Sequence, residues 1–165
     1  MMDTAKRDIA RLRSFTYDSY GISKYRYKEL KSFCLQYDEK KSKIRYGISA
    51  VASDGMPHAR TVSSPTERRG MENAQLMMDI STIEAAARMV DNITGVKLSP
   101  FLLRSVTQDA AYENIEYDPE HGRIPIGKTD FYACRRLFYG CLDRKDKAED
   151  QGRWFEELME EKGVE

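Results

Sequence analysis

A regular seam of apolar residues between residues 71 and 92 is the strongest structural constraint in the sequence. Its members recur at intervals of four and three residues, as side chains on one face of an α-helix do; they are Leu76, Ile80, Ile83, Ala87 and Val90. The spacing predicts a helix over 71–92. A seam this narrow serves either as the core side of an intramolecular helix or as the contact between two copies of the chain.

Helical spacing extends to the segments on either side. Residues 25–43 carry an apolar stripe with i, i+3, i+4, i+7 spacing, and Ser23 is placed to cap the first turn. Ser99 and Pro100 favour the start of another helix, with Ser as the N-cap and Pro at the first helical position. Residues 1–13 have the composition of a short basic helix or a loose arm. We therefore expect a mainly α-helical fold.

Residues 44–70 interrupt this pattern. The segment holds three glycines, two prolines and four serines, which favour turns and connections over regular structure. It predicts a long irregular connection, with room for a short extended piece over 46–51.

The composition suits one compact domain, because the chain has 165 residues and its 27 basic and 27 acidic residues cancel. No apolar run approaches the ~18 residues that a membrane helix needs, and the N-terminus has no apolar signal segment, so we expect a cytoplasmic protein. Three cysteines fit no disulfide framework, and the two histidines are isolated from any ligand pair. We expect a non-enzymatic protein without a metal or cofactor.

Charge is unevenly distributed towards the C-terminus. Between residues 122 and 147, seven basic residues stand against three acidic ones, which suits a nucleic acid because a duplex is a dense line of negative charge. Residues 148–165 are acidic and carry an apolar face at helical spacing. This last segment predicts a helix that docks on the body or on a partner.

The basic segment has the layout of two helices and a turn. A short helix capped by Thr107 is expected to end at Asp118–Pro119, and a longer helix begins at 127–129 and continues to about Leu142. The inner face of the longer helix holds Phe131, Cys134, Phe138, Cys141 and Leu142, and its other side holds Lys128, Tyr132, Arg135, Arg136 and Tyr139. This layout is typical of a helix-turn-helix whose second helix reads the major groove. The alternative is a charged face that only solvates a surface helix.

The same segment matches the phosphate-binding loop pattern G-x-x-x-x-G-K-[ST] from Gly122 to Thr129. Such a loop follows a buried apolar strand directly, whereas residues 114–121 carry three acidic residues and Pro119. The sequence therefore favours a turn that leads into a helix, with nucleotide binding as a remote alternative.

Several stretches between residues 25 and 145 carry a resemblance to a known family. They are "YGIS" (46–49), "SPT" (64–66), "IEAAA" (83–87), "LLRSVT" (102–107), Tyr112, "IPIG" (124–127) and "FYACRRLFY" (131–139). Through them the chain resembles small phage and prophage proteins of Gram-positive bacteria, similar to the RinA/ArpU-type late-gene transcriptional regulators. The resemblance implies a helix-turn-helix like that of sigma-factor region 4, with the helix over 128–136 reading DNA.

From these features we expect a small helical domain with a C-terminal helix-turn-helix. Its parts are an N-terminal arm (1–22), a helical region (23–106), the helix-turn-helix (107–147) and an acidic C-terminal helix (148–165). The helix over 71–92 is a candidate for pairing two copies in a homodimer.

The expected function is sequence-specific binding of double-stranded DNA, as a phage-type transcription regulator in the bacterial cytoplasm. The helix over 127–142 is the recognition helix, and the residues expected at the DNA are Arg123, Lys128, Thr129, Tyr132, Arg135, Arg136, Arg144 and Lys145. Host RNA polymerase or another host protein is a further partner to consider. The alternative function is that of a phage interaction protein, such as a small terminase-like packaging subunit or an inhibitor of a host protein.

Overall fold

The computed structural model describes residues 8–49, 65–144 and 153–163, and this part of the chain is mainly helical, as the sequence predicts. The elements in chain order are α1 (8–12), a 3-10 turn (Asp18–Tyr20), α2 (Lys24–Leu35), α3 (Tyr37–Ser49), α4 (Pro65–Thr94), α5 (Ser99–Gln108), α6 (Tyr112–Ile115), β1 (Tyr117–Asp118), β2 (Gly122–Arg123), α7 (Lys128–Asp143) and α8 (Arg153–Glu161). No described helix has the length and apolar character to cross a membrane.

The helix predicted over 71–92 is longer than expected. α4 has 30 residues, about 45 Å at the usual rise, and Pro65 occupies its first helical position, where Pro is favoured. Ile83, Ala87 and Val90 are fully buried and pack with α7 and α5. The C-terminal half of the predicted seam therefore belongs to the core of a single chain.

The structure divides the helix predicted over 25–43 into two. α2 begins after Ser23, whose Oγ accepts a hydrogen bond from the backbone N–H of Arg26 at 3.2 Å, as predicted. It ends at Leu35, and α3 follows after Gln36. The sequence does not signal this break, because the apolar stripe continues past it.

The prediction of an irregular connection over 44–70 is wrong at both ends. α3 continues to Ser49 and α4 begins at Pro65, so the extended piece expected near 46–51 is helical over 46–49. α3 packs along α4, and this tertiary packing outweighs the weak helix propensity of a glycine and serines. Residues 50–64 lie outside the described residues.

The N-terminal segment is not a loose arm where the structure describes it. Ile9, Leu12, Phe15 and Tyr20 are buried in the same cluster as the core of α4 and α7. The reason is a close approach at Gly140 of α7, where a Cβ would lie 2.9 Å from Cδ1 of Tyr20. The absence of a side chain at this position lets the ring of Tyr20 lie against the helix backbone.

The segment from α5 to α7 follows the predicted order with different boundaries. Thr107 lies buried inside α5 instead of capping the next helix, and α5 ends where Asp109 adopts a left-handed conformation with φ of 50°. α6 is only four residues long. β1 and β2 pair antiparallel across the turn at 119–121, and Gly122, the first residue of β2, has φ of 77°, a conformation that favours glycine.

The predicted start and inner face of α7 are confirmed, and the predicted start of α5 is refined. α7 begins at Lys128, and all five residues of its predicted inner face are buried. α5 begins near Ser99–Pro100, but Ser99 does not cap it. The carboxylate of Asp91 accepts hydrogen bonds from the backbone N–H groups of Leu98 (2.7 Å) and Ser99 (2.8 Å) and takes this role.

The acidic C-terminal segment forms α8, which docks on the body of the same chain. Leu158 is buried, and Trp154, Phe155 and Met159 pack against the core cluster. The ring of Trp154 meets the ring of Tyr20 edge-on, with centroids 6.5 Å apart. The apolar face predicted for this helix is thus its docking face.

Candidate nucleic-acid interface

α7, the expected recognition helix, is the most deeply buried helix around the candidate site. Nine of its residues are buried, because α2, α4, α5 and the N-terminal segment pack around it. Tyr139, expected on the outer side, is fully buried and touches the rings of Tyr17 and Tyr27. The structure therefore differs from a helix that is apolar on one side and open on the other.

Arg135 is held inside the protein by an acidic partner. Only 12% of its side chain is exposed, and its Nη2 donates to Oδ1 of Asp109 at 3.2 Å. Lys31 of α2 contacts the other carboxylate oxygen of Asp109 at 3.2 Å. The hydrogen bond from Lys31, followed by that from Arg135, holds the pKa of Asp109 below its usual range. Through Lys31 and Arg135, Asp109 at the end of α5 ties α2 and α7 together.

Arg136 and the first turn of α7 are covered by the N-terminal segment. Nε of Arg136 donates to the backbone oxygen of Phe15 at 3.0 Å. Two residues earlier, Arg13 makes a two-point contact with the carboxylate of Asp130, one of the bonds being 3.1 Å long. Arg136 thus positions the N-terminal segment, a role that its place beside Arg135 in the sequence does not reveal.

Tyr132 also makes an internal contact, but it stays half-exposed. Its hydroxyl oxygen accepts a hydrogen bond from the backbone N–H of Tyr112 at 3.2 Å. The hydroxyl of Tyr112 in turn donates to the backbone oxygen of Ile126 at 2.9 Å. Together these bonds fix α6 and residues 124–127 against the start of α7.

The exposed part of the expected interface lies at the N-terminus of α7 and in the residues just before it (123–129), which we call the entry to α7. Gly127 is the N-cap and offers no side chain to the free N–H groups of the first turn, and Lys128 and Thr129 are exposed. Arg123 projects from the neighbouring β2 strand with 76% of its side chain exposed. A helix N-terminus with free N–H groups and adjacent cations is suited to an anion such as a phosphate.

Both cations of this group have exposed carboxylate partners. Nζ of Lys128 donates to Glu113 of α6, and this bond raises the pKa of Lys128 and lowers that of Glu113. Nε of Arg123 donates to Oε1 of Glu116 at 3.1 Å. Pairs at the surface are weakened by solvent and contribute little to stability, so a phosphate is able to displace either carboxylate.

Acidic residues are numerous around this entry. Asp118 accepts hydrogen bonds from the backbone N–H groups of Glu120 and His121, and the bond from Glu120 is the main reason that the pKa of Asp118 is lowered. Arg104 lies 3.3 Å from the other Asp118 oxygen. The surface at the start of α7 therefore alternates between positive and negative charge, in contrast to the surplus of basic residues predicted from the sequence.

The flanking cations are placed elsewhere. The guanidinium of Arg144 lies over the ring of Trp154, 5.5 Å from its centroid, at the opposite end of α7. Lys145 lies outside the described residues. The seven of these residues that the structure describes are thus not brought onto one surface, and Arg123, Lys128 and Thr129 are the exposed group at the start of α7.

The geometry does not provide the strand that a nucleotide-binding loop requires. Gly122 lies in a two-residue antiparallel strand, and Ile124 behind it is buried as an anchor of the turn. Within 8–49, 65–144 and 153–163, no three His, Cys, Asp or Glu residues lie close enough to hold a metal ion.

Comparisons with known proteins add no relative: no family model, curated protein or solved structure matches the chain.

Proposed function

We propose that this protein binds double-stranded DNA and acts as a phage-type transcription regulator, with the entry to α7 as its contact surface. The observation that carries the proposal is that α7 is buried over most of its length and exposed at its uncapped first turn, beside Arg123. In helix-turn-helix proteins the N-terminal residues of the recognition helix meet the base edges. Lys128 and Thr129 hold those positions in this chain.

The internal contacts narrow the set of residues at the DNA. Arg123 and Lys128 are the phosphate-binding cations in this proposal, and Thr129 reaches a base edge or a phosphate. Arg135 and Arg136 contribute by holding α7 in place. Substituting them would weaken DNA binding only through loss of the fold.

The test measures fluorescence anisotropy of labelled duplexes from the genomic neighbourhood of the gene, over a salt series. The double variant Arg123→Ala, Lys128→Ala should weaken binding at least tenfold and make the slope of log K against log salt shallower by about 2, one unit for each lost phosphate contact. The matched control is Lys43→Ala, Lys97→Ala, since Lys43 also has an exposed carboxylate partner and both residues lie outside β2 and α7. This control should leave binding unchanged.

A second double variant separates a DNA contact from a structural role. Glu113→Gln with Glu116→Gln removes the two carboxylates that compete with phosphate for Lys128 and Arg123. If DNA contacts these cations, the affinity of this variant for the duplex should rise, while its melting temperature stays close to that of the wild-type protein. No binding by the wild type at low salt would overturn the proposal.

The second candidate function is that of an interaction protein that binds a host protein. It is favoured by the acidic residues beside each cation at the entry to α7, because a surface of alternating charge suits a protein partner better than a polyanion. Salt-dependent binding to duplex DNA at this surface would contradict this candidate.

A further inference from the structure

α4 carries a second seam on the side that faces away from the core. Apart from the adjacent pair Met77 and Met78 at its centre, its members are spaced by three and four residues; they are Glu67, Gly70, Ala74, Met77, Met78, Ser81, Ala85 and Arg88. At 100° per residue they lie within about 50° of the line opposite the buried residues of the helix. All are exposed except Ala85, which is half-exposed, and Met77 and Met78 expose 59% and 64% of their surface.

We propose that two copies of this chain pair through this outward seam, with their α4 helices antiparallel. The C-terminal half of the seam that the sequence first suggests for pairing (Ile83, Ala87 and Val90) lies in the core of the chain itself. The outward seam is therefore the surface of α4 that remains for a second copy. This pairing does not depend on DNA binding.

The outward seam is self-complementary when two copies of the chain are related by a two-fold axis. With a two-fold axis between Met77 and Met78, Gly70 lies opposite Ala85 of the second copy, and Ala74 lies opposite Ser81 of the second copy. Small residues at these positions allow two helix backbones to approach closely. At the centre, Met77 meets Met78 of the second copy, and flexible methionines fill irregular gaps well.

Charge complementarity selects the same orientation and the same register. Glu67 lies opposite Arg88 of the second copy, and the symmetry repeats this pair at the other end of the seam. Arg88 has no acidic partner in the described part of its own chain. A parallel pairing would instead bring Arg88 against Arg88 and Glu67 against Glu67, which is unfavourable.

Two grooves flank the seam and offer space to the methionines. Met77 borders a groove of 620 Å³ between α3 and α4, together with Ile44 and Ile80. Met78 borders a groove of 510 Å³ between α2 and α4, which Phe33 also lines. Polar and charged residues, such as Lys41 and Asp79, also line these grooves, so each offers the methionines of a second copy a partly apolar surface.

The size of the seam predicts a reversible dimer. From Glu67 to Arg88 it is about 32 Å long, and a strip of that length and one helix wide buries on the order of 700 Å² in total, less than a stable interface of standard size. The fraction of dimer should therefore increase with protein concentration.

Disulfide trapping tests the register with the full chain. The native thiols are buried, so an introduced cysteine is the one that reacts. Variants Ala74→Cys and Ser81→Cys, mixed and oxidised, should give a cross-linked dimer, because these positions are opposite each other. Either variant alone should stay uncross-linked, since like positions are about 10 Å apart along the axis and a disulfide spans less than about 7 Å between Cα atoms.

A charge exchange tests the pairing without cross-linking. Arg88→Glu alone and Glu67→Arg alone should each weaken the dimer about tenfold in sedimentation experiments, because each places like charges opposite one another. An equimolar mixture of the two variants should recover the dimer, since the mixed pair restores both attractions. Lys97→Glu is the matched control, because Lys97 is exposed and lies outside the seam.

Three results would overturn the proposal: sedimentation as a monomer over about a hundredfold range of concentration, cross-linking by Ala74→Cys alone, or no recovery in the charge-exchange mixture. None of them depends on DNA, so this proposal and the proposed function can fail separately.

Discussion

The ring of Tyr20 lies against the backbone of Gly140, so closely that a Cβ on Gly140 would be 2.9 Å from Cδ1 of Tyr20. This contact joins the N-terminal segment to the last turn of α7, the most buried helix in the described part of the chain. It also places the hydroxyl of Tyr20 where burial raises its pKa. The N-terminal segment is thereby part of the core, and it covers the side of α7 on which Arg136 lies.

Replacing Gly140 with alanine should therefore destabilise the protein. Helix propensity alone would favour the substitution by about 1 kcal/mol, but overlap with Tyr20 should reverse the sign and give a net loss of about 1–2 kcal/mol. The matched control is Gly70→Ala, measured at protein concentrations low enough for the chain to be monomeric, because Gly70 also lies in a helix and a Cβ added there would have nothing within 4 Å in the single chain. Chemical denaturation should show a gain of about 0.5–1 kcal/mol for this control. Equal effects of both substitutions would contradict the packing described.

A second prediction concerns the carboxylate that holds Arg135. Asp109→Asn should lower the free energy of unfolding by about 1–2 kcal/mol, because it weakens the partner of a largely buried guanidinium. Asp8→Asn, in an exposed pair with Arg11, is the control and should change stability by less than about 0.5 kcal/mol.

The pH dependence of the same variant follows from the pKa of Asp109. Because this pKa is lower in the folded state than in the unfolded chain, the carboxylate stabilises the fold fully above about pH 4 and loses this effect as pH falls through the folded pKa. The difference in melting temperature between wild type and Asp109→Asn should therefore shrink below about pH 4. A difference that grows towards low pH would show that the carboxylate does not act through its charge.

A third prediction concerns the three thiols. Cys34, Cys134 and Cys141 are buried, and burial raises the pKa of each to about 12. A thiol-specific reagent at pH 8 should therefore label none of them in the native protein and all three after denaturation. Rapid labelling of Cys134 or Cys141 in the native state would show that α7 is less enclosed than described.

The sequence predicts what depends on local spacing. The inner face of α7 and the C-terminal part of the core side of α4 follow from residues three and four positions apart, and both are buried as predicted. The first turn of α7 follows from Gly127 and the turn before it. These features need no knowledge of the rest of the chain.

The outer side of α7 could not be predicted in this way, because the groups that cover it are distant in sequence. Phe15 meets Arg136 across 121 residues, and Asp109 meets Arg135 across 26. The charged residues of α7 have the same spacing whether or not distant groups cover them, so this spacing does not reveal that they are covered.

The central claim is that DNA meets the protein at the entry to α7, and amide chemical shifts test it most directly. A series of ¹H–¹⁵N spectra recorded during titration with a duplex should show the largest changes for residues 122–130, with Lys128, Thr129 and Arg123 among them. Amides near Arg135 and Arg136 should change little, since those side chains are engaged inside the protein. Changes concentrated on other elements, or none at low salt, would contradict the account.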